Sequence, residues 1–393
     1  MPLCALLSLI ERVRALFGLA PAPSEPRRIL VILLSEMGSL VLAQPMFARL
    51  QRQYPGAAVH ALTFRRNREA LDLLGVVPPA QVLTIDDSSF TALAADSLRA
   101  IGRMRALRID VAIDCELFSR VSAILSYLSG AASRVGFHRH TQEGLYRGSF
   151  INRPVLYNPY RHLSQQFLTM VTAIGSTTVP LGKEPPPEAP SAPPHLAFTD
   201  AELQEVTTKL HGDFPALKGK RLVLVSPSGG LLPIRAWPIE NFSRVSAGLL
   251  AEGCAVAVIG LQGDKAYANA ILAHCAHEAC VDLTGYTRSV RHLLAIFNLA
   301  ELLIANDGGH GQLAALTPIS SLVFFGPETP LVYGSLAKNS RTFFLGLPCS
   351  PCLTAYNHRA SPCDGDNQCL KLIAPEAVLA RAREVLSAPD RRR

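Results

Sequence analysis

Three turns in this chain carry side chains suited to chemistry, and each follows a short apolar run. In Ser35-Glu36-Met37-Gly38-Ser39 the one acid, Glu36, is placed to take a proton from a hydroxyl nucleophile. Gly38 permits a tight turn or the close approach of a ligand. The plainer alternative for Glu36 is an acid at a helix start, favoured by the helix dipole. In Asn306-Asp307-Gly308-Gly309-His310-Gly311-Gln312 glycines at a helix start offer backbone N–H groups and partial positive charge, the makings of a phosphate cradle. No Gly-Lys-Ser/Thr follows, so this is not a Walker loop, and an ordinary turn capped by Asp307 has the same appearance. In Ser226-Pro-Ser228-Gly229-Gly-Leu-Leu-Pro-Ile-Arg235-Ala-Trp237-Pro238 the guanidinium of Arg235 is a fixed positive charge that suits a diphosphate. Trp237, the only tryptophan, reads as core packing beside the helix that starts near Pro238.

Two further groups stand out. Glu116, Arg120, Arg134, His138, Arg139, His140, Arg147 and His162 concentrate basic and imidazole groups after one apolar run. They suit a pocket for a polar or phosphorylated acceptor, or a solvated loop surface. Near the C-terminus Cys349, Cys352, Cys363 and Cys369 place four thiols within 21 residues. Four thiolates can bind zinc tetrahedrally, as a closed structural site. Reduced or disulfide-paired cysteines clamping a loop are the other reading.

The elements that must position these residues follow from periodicity. Ile29 to Leu34 is a continuous apolar run rich in β-branched residues, as expected for a strand buried on both faces of a parallel sheet. Helical spacing from Val41 to Tyr54, a strand at 58–63, a helix at 67–74, a strand at 81–85, a helix at 91–107 and a strand at 111–114 follow. This β-α alternation predicts a doubly wound α/β sheet. The stretch from Pro180 to Pro194 holds seven prolines and little apolar bulk, so it reads as a semi-rigid linker. Alternation then restarts: strands at 221–226, 255–260, 279–282, 302–305 and 321–325, with helices at 241–252, 265–277, 290–299 and 310–316. The expected organisation is an N-terminal helix and spacer at 1–26, one α/β domain at 27–179, a linker at 180–197 and a second α/β domain at 198–374. A terminal helix and tail occupy 375–393. Ligands of such sheets bind at the carboxyl ends of the strands, so two such halves facing a cleft suit a two-substrate reaction.

With 393 residues, 49% apolar and 18% charged, the chain can bury a large core and is neither disordered, collagen-like nor a disulfide miniprotein. Its net charge of +7 is too diffuse to argue for nucleic acid and fits an anionic small substrate or a negatively charged membrane face. Nine cysteines in so long a chain indicate a reduced, cytoplasmic setting. No apolar run reaches membrane-spanning length, and Glu11, Arg12 and Arg14 interrupt the N-terminal run before it could serve as a cleaved signal. Leu6, Ile10, Val13 and Phe17 fall at helical spacing, which predicts a helix docked on the protein or lying in a membrane interface.

Taken in order, the turn at Ser35–Ser39, Arg235-x-Trp237-Pro238, Asp282-Leu-Thr284-Gly285, Asn306–Gly309 and Phe325-Gly-Pro327 resemble glycosyltransferase family 9, the bacterial heptosyltransferase family, from about Arg27 to the terminal helix. The resemblance implies a GT-B fold, two Rossmann-like domains facing a central cleft. It also implies inverting, metal-independent sugar transfer that needs no cofactor beyond a nucleotide-sugar donor, an ADP-sugar or another NDP-sugar. On that basis Ser228, Gly229, Arg235, Thr284, Gly285, Asp307, Gly308, Gly309, His310 and Gln312 are the expected donor site. Gly38, Ser39, Glu116, Arg120, His138, Arg139, Arg147 and His162 are the expected acceptor side, and Glu36 the base. The acceptor implied is a cell-envelope glycan or lipid-linked glycan, handled on the cytoplasmic face of an anionic inner membrane. The family carries Asp where this chain has Ser39 and His where it has Gln312; Glu36 and His310 lie in the same respective turns. These replacements motivate a rival expectation, a sugar-nucleotide-binding protein without turnover; a sugar-nucleotide epimerase on the same architecture is a third.

Overall fold

The computed structural model describes residues 2–18, 25–34, 36–138, 146–178, 180–185, 190–357 and 359–388. Ser35, Arg139 and His140, singled out above, lie outside the described residues. The chain divides into two compact units, Met1–Ser191 and Ala192–Arg393.

The first unit runs α1 (Pro2–Leu16), β1 (Arg28–Ile32), α2 (Met37–Gln53), β2 (Ala58–Phe64), α3 (Arg68–Leu74), β3 (Val82–Ile85), α4 (Phe90–Leu107), β4 (Val111–Asp114), α5 (Arg120–Leu128), β5 (Ser133–His138), β6 (Arg153–Leu156) and α6 (Leu163–Gly175). Its six strands are ordered β3-β2-β1-β4-β5-β6, and every pairing is parallel. The continuous apolar run of β1 is covered on both faces: Leu30 and Ile32 join a core with Leu62, Ile85, Met104 and Leu125. Residues that favour local hydrogen bonding start the helices. Ser89 accepts from Ala92 N–H at 3.1 Å to cap α4, and Ser119 accepts from Ser122 N–H to cap α5.

The second unit runs α7 (Asp200–Asp213), β7 (Leu222–Ser226), α8 (Ile239–Ala251), β8 (Ala255–Gly260), α9 (Lys265–Cys275), β9 (Cys280–Thr284), α10 (Val290–Leu299), β10 (Leu302–Asn306), α11 (Gly309–Leu313), β11 (Ser320–Phe324), α12 (Pro330–Tyr333), β12 (Ser340–Phe343), α13 (Gln368–Lys371) and α14 (Pro375–Ser387). Its strand order is β12-β11-β10-β7-β8-β9, again parallel throughout. Residues 190–199 contain neither helix nor strand. Trp237 is core, as its sequence context suggested: 1% exposed, it stacks on Phe324 at 4.3 Å and its indole N–H donates to Ile373 O at 3.1 Å.

Each sheet reverses its winding once, between β1 and β4 in the first unit and between β7 and β10 in the second. At such a point the loops leaving neighbouring strands splay to opposite faces and open a crevice at the carboxyl edge of the sheet. The turns picked out by residue chemistry leave these four strands.

Candidate functional site

In the second unit Asn306 at the end of β10 ties the two loops of the crevice together. Its Nδ2 donates to Pro227 O at 2.7 Å and its Oδ1 accepts from Trp237 N–H at 2.9 Å. Beyond it, Asp307 N–H donates to Phe324 O, which fixes where α11 begins. The first bond inside α11 runs from Gln312 N–H to Gly308 O at 3.3 Å. The N–H groups of Gly309, His310 and Gly311 therefore have no carbonyl within the helix. A Cβ at Gly308 would come no nearer than 4.0 Å to Asn306 O, and one at Gly309 would meet nothing within 4 Å. Gly308, at φ 164°, has extended backbone open to any residue. Neither conformation nor packing demands these two glycines; what they leave is bare backbone facing open space. Gly229 differs, since a Cβ there would press on Leu232 O at 2.7 Å.

Around this turn lies a charged group that the sequence reading saw only in part. Arg235 Nη1 donates to Glu328 Oε2 at 2.9 Å and stands 3.5 Å from Asp307 Oδ2. Arg359 Nε lies 3.1 Å from Glu328 Oε1. Glu328 is 2% exposed, and burial, then the charge of Asp307, pushes its pKa up to about 8. Burial raises Asp307 as well, against the pull of Arg235. Glu328 is thus held toward its neutral form, which leaves the guanidiniums of Arg235 and Arg359 in excess of carboxylate charge. Arg235 Nε, Asp307 Oδ2 and Gln312 Oε1 are buried without a hydrogen-bond partner among the described residues, whereas buried polar atoms are almost always satisfied.

The remaining residues of this side are placed as follows. His310 Nδ1 lies 2.7 Å from Ser226 Oγ, joining the ends of β10 and β7, and burial lowers its pKa, so the ring is neutral. Gln312 turns behind the helix, with Nε2 donating to Tyr333 O at 2.6 Å. Ser228 Oγ accepts from Gly230 N–H at 3.1 Å. Thr284 is held by Asp282 Oδ1 through N–H at 2.8 Å and Oγ at 2.6 Å. Gly285, at φ 69°, closes the edge strand β9, two strands from β7 and so about 10 Å along the sheet.

Among the described residues no group of three or more His, Cys, Asp or Glu side chains is arranged to hold a metal ion. Cys369 is buried, Cys352 Sγ accepts from Ser361 Oγ at 3.1 Å, and Cys349 and Cys363 are exposed. The thiol of Cys369 is pushed up to about 11, first by burial and then by the other three cysteines. What the segment does is brace the charged group. Cys352 and Leu353 N–H donate to Pro327 O, Asn367 Nδ2 donates to Ile234 O at 2.5 Å, and Arg359 faces Glu328.

In the first unit Glu36 caps α2 in position without a side-chain cap bond; its Oε2 accepts from Ser39 Oγ at 3.0 Å. Across the β1–β4 reversal Glu116 Oε1 accepts from Leu34 N–H at 2.6 Å. Gly38 and Ser39 lie in the first turn of α2. Arg147 is wholly buried and forms an ion pair with Asp114. It also donates to Ser119 O at 3.0 Å, Glu116 O at 3.1 Å, Phe137 O at 3.2 Å and Ser122 Oγ at 3.1 Å. Burial lowers its pKa to about 9, which leaves it charged at neutral pH. Every N–H of this guanidinium is spent inside the unit, so it shapes the 116–119 turn and offers no donor to a ligand. Arg120 Nε donates to Tyr146 O at 3.2 Å. His162 caps α6, with Nδ1 2.7 Å from Ser164 Oγ, and His138 ends β5 half-buried. The structure gathers Glu36, Gly38, Ser39 and Glu116 at one reversal and distributes His138 and His162 to other edges of the unit.

Two all-parallel Rossmann-like units, one with bare amides and net positive charge at its reversal point, define a chain of the GT-B class. A family model, glycosyltransferase family 9 (heptosyltransferase), matches residues 98–360. The chain belongs to that family and is a glycosyltransferase. It is 22% identical over 366 residues to lipopolysaccharide heptosyltransferase 2 of Salmonella typhimurium, covering 92% of this chain and 99% of that protein. Among solved structures it is similar to the ADP-heptose lipopolysaccharide heptosyltransferase II of E. coli, with a TM-score of 0.69 and 20% identity over 91% of this chain and 98% of that one. It is also similar to a family 9 glycosyltransferase from Veillonella parvula, with a TM-score of 0.71 and 16% identity over 93% and 98% of the two chains.

Proposed function

We propose that this protein transfers a sugar, with inversion, from an ADP-sugar or related nucleotide diphosphate donor to a hydroxyl of a lipid-linked cell-envelope glycan, on the cytoplasmic face of a membrane. The observation that carries the proposal is the pair Gly308 and Gly309, whose missing side chains nothing in the protein requires. In this reading the donor diphosphate rests on their N–H groups. The net positive charge of the group around Arg235 offsets the charge that develops as the bond between anomeric carbon and phosphate oxygen breaks, without help from a metal. Such stabilisation of a leaving group is the largest contribution we invoke. Glu36 takes the proton of the acceptor hydroxyl while its oxygen bonds to the anomeric carbon, and the electron pair leaves with the diphosphate. Ser39, standing where the family has Asp, holds Glu36 by its hydroxyl. Arg147 acts as a positioning residue for the 116–119 turn.

A thermal-shift screen of nucleotides and nucleotide sugars tests the donor side, because a bound ligand stabilises the folded state by mass action. Stabilisation by nucleotide diphosphates is expected, and the donor so found should be consumed on adding an envelope-glycan acceptor. A chain that no nucleotide stabilises is not this enzyme. Ser39 and Gln312 favour a second reading, nucleotide-sugar binding without turnover; binding with no product on any acceptor would select it.

A further inference from the structure

Helix α1 is amphipathic in the unusual sense. Cys4, Leu7 and Ser8 are buried, with Cys4 and Leu7 against Ala123, Tyr127, Phe150 and Ile151. The polar groups of the helix also serve this inner face. Ser8 Oγ accepts from Ser149 N–H at 2.9 Å and meets Tyr146 Oη at 2.7 Å. Glu11 forms an ion pair with Arg134 and stands 3.9 Å from Arg14. The outward face is apolar: Leu6, Leu9, Ile10, Val13, Leu16 and Phe17 are exposed, Leu9 to 58%, Leu16 to 84% and Phe17 to 75%. At about 100° per residue these side chains fill an arc of roughly 120°, or roughly 140° with Leu3, with Arg12 at one edge and Arg14 at the other. Such a stripe is neither the core-facing surface of a helix nor an ordinary solvent face.

We infer that α1 is a docking element for an anionic lipid bilayer, lying in the headgroup plane with this stripe buried in the acyl boundary. The flanking arginines would then reach the headgroups while their stems cover apolar surface. Charge decides the occupant. The only acid of the helix is taken by Arg134 and Arg14, so the rim of the stripe is positive. A second copy of the same face would set arginines against arginines. At 15 residues the helix is too short to span a bilayer, and none among the described residues is long and apolar enough to do so. The choice of a membrane rests on the lipid-linked acceptor proposed above.

Flotation of the full chain with vesicles of phosphatidylcholine, with or without phosphatidylglycerol, tests the inference. Wild type should float with the anionic vesicles. Leu6→Glu/Leu9→Glu/Val13→Glu, which alters only exposed positions and should keep the wild-type melting temperature, should partition at least about tenfold less. Arg12→Gln/Arg14→Gln should lose roughly fivefold per arginine at low salt. Wild type that stays with the soluble fraction, or a stripe variant that floats like wild type, overturns the docking role. So does a wild-type dimer that the stripe variant converts to monomer, which would make the occupant a second copy. Donor stabilisation measured on the same samples keeps the two readings apart: it is unaffected by the stripe variant, and its absence would sink the enzyme while leaving flotation standing.

Discussion

Replacing Gly308 and Gly309 together by alanine should move stability and donor affinity in opposite directions. A Cβ at either position meets no protein atom within van der Waals contact, and neither residue sits in the left-handed region. The substitution therefore costs no packing and removes backbone freedom from the unfolded chain, worth about 0.4–1 kcal/mol per compatible site. For two sites in a unit of this size that raises the melting temperature by roughly 2–8 °C. The new methyl groups would occupy the space through which a diphosphate reaches the amides. Loss of one charge-assisted hydrogen bond, at about 1.5–3 kcal/mol, weakens donor binding by roughly tenfold to 150-fold, and loss of two by the product. Thermal unfolding without ligand and calorimetric titration with the donor nucleotide read the two effects separately. Donor affinity within about twofold of wild type would refute the cradle; a melting temperature several degrees lower would show that the methyl groups strike protein after all.

Glu36→Gln keeps the size and the contact with Ser39 but cannot take a proton; turnover should fall by about 10²–10⁴-fold with donor affinity unchanged, as steady-state rates and titration together would show. Arg147→Met leaves the Asp114 carboxylate buried and unpaired, at a cost of about 3–5 kcal/mol in urea unfolding, and a loss under 1 kcal/mol would contradict the buried pair. Glu328 has a carboxyl pKa raised from 4.5 to about 8. Its stabilising share is full below 4.5 and is lost as pH rises through about 8. Ionisation also removes the positive excess at the donor site, so donor affinity should decline across the same upper limb, and Glu328→Gln should flatten both profiles.

The parallel sheets were legible because β1, β4, β8 and β10 carry apolar runs without polar alternation, as strands covered on both faces do. The stretch from 115 to 180 was not. Strand β5 reads Ser-Arg-Val-Gly-Phe-His, and its arginine is buried among partners that sequence does not place beside it, the Phe150 and Ala131 carbonyls and Glu11 from a helix far away in sequence. The two glycine-bearing turns announced themselves by composition. Glu328 and Arg359 did not: one follows a Gly-Pro just after β11, the other lies within a cysteine-rich loop, and only the fold brings them together beside Arg235. Arg147 misled for the same reason, since sequence cannot tell a guanidinium offered to solvent from one sealed around Asp114. Nor does spacing tell which thiols are covered: Cys369 is buried under Gly326, while Cys349 and Cys363 are exposed.

Trp237 carries a practical consequence. It is the sole indole of the chain, stacked on Phe324, with its main-chain N–H on the same Asn306 that fastens the Ser226 and Asp307 loops together. Any shift of those loops as a nucleotide settles must alter the surroundings of this one chromophore. If the donor binds there as proposed, the emission spectrum of Trp237 would report occupancy in the unlabelled native protein.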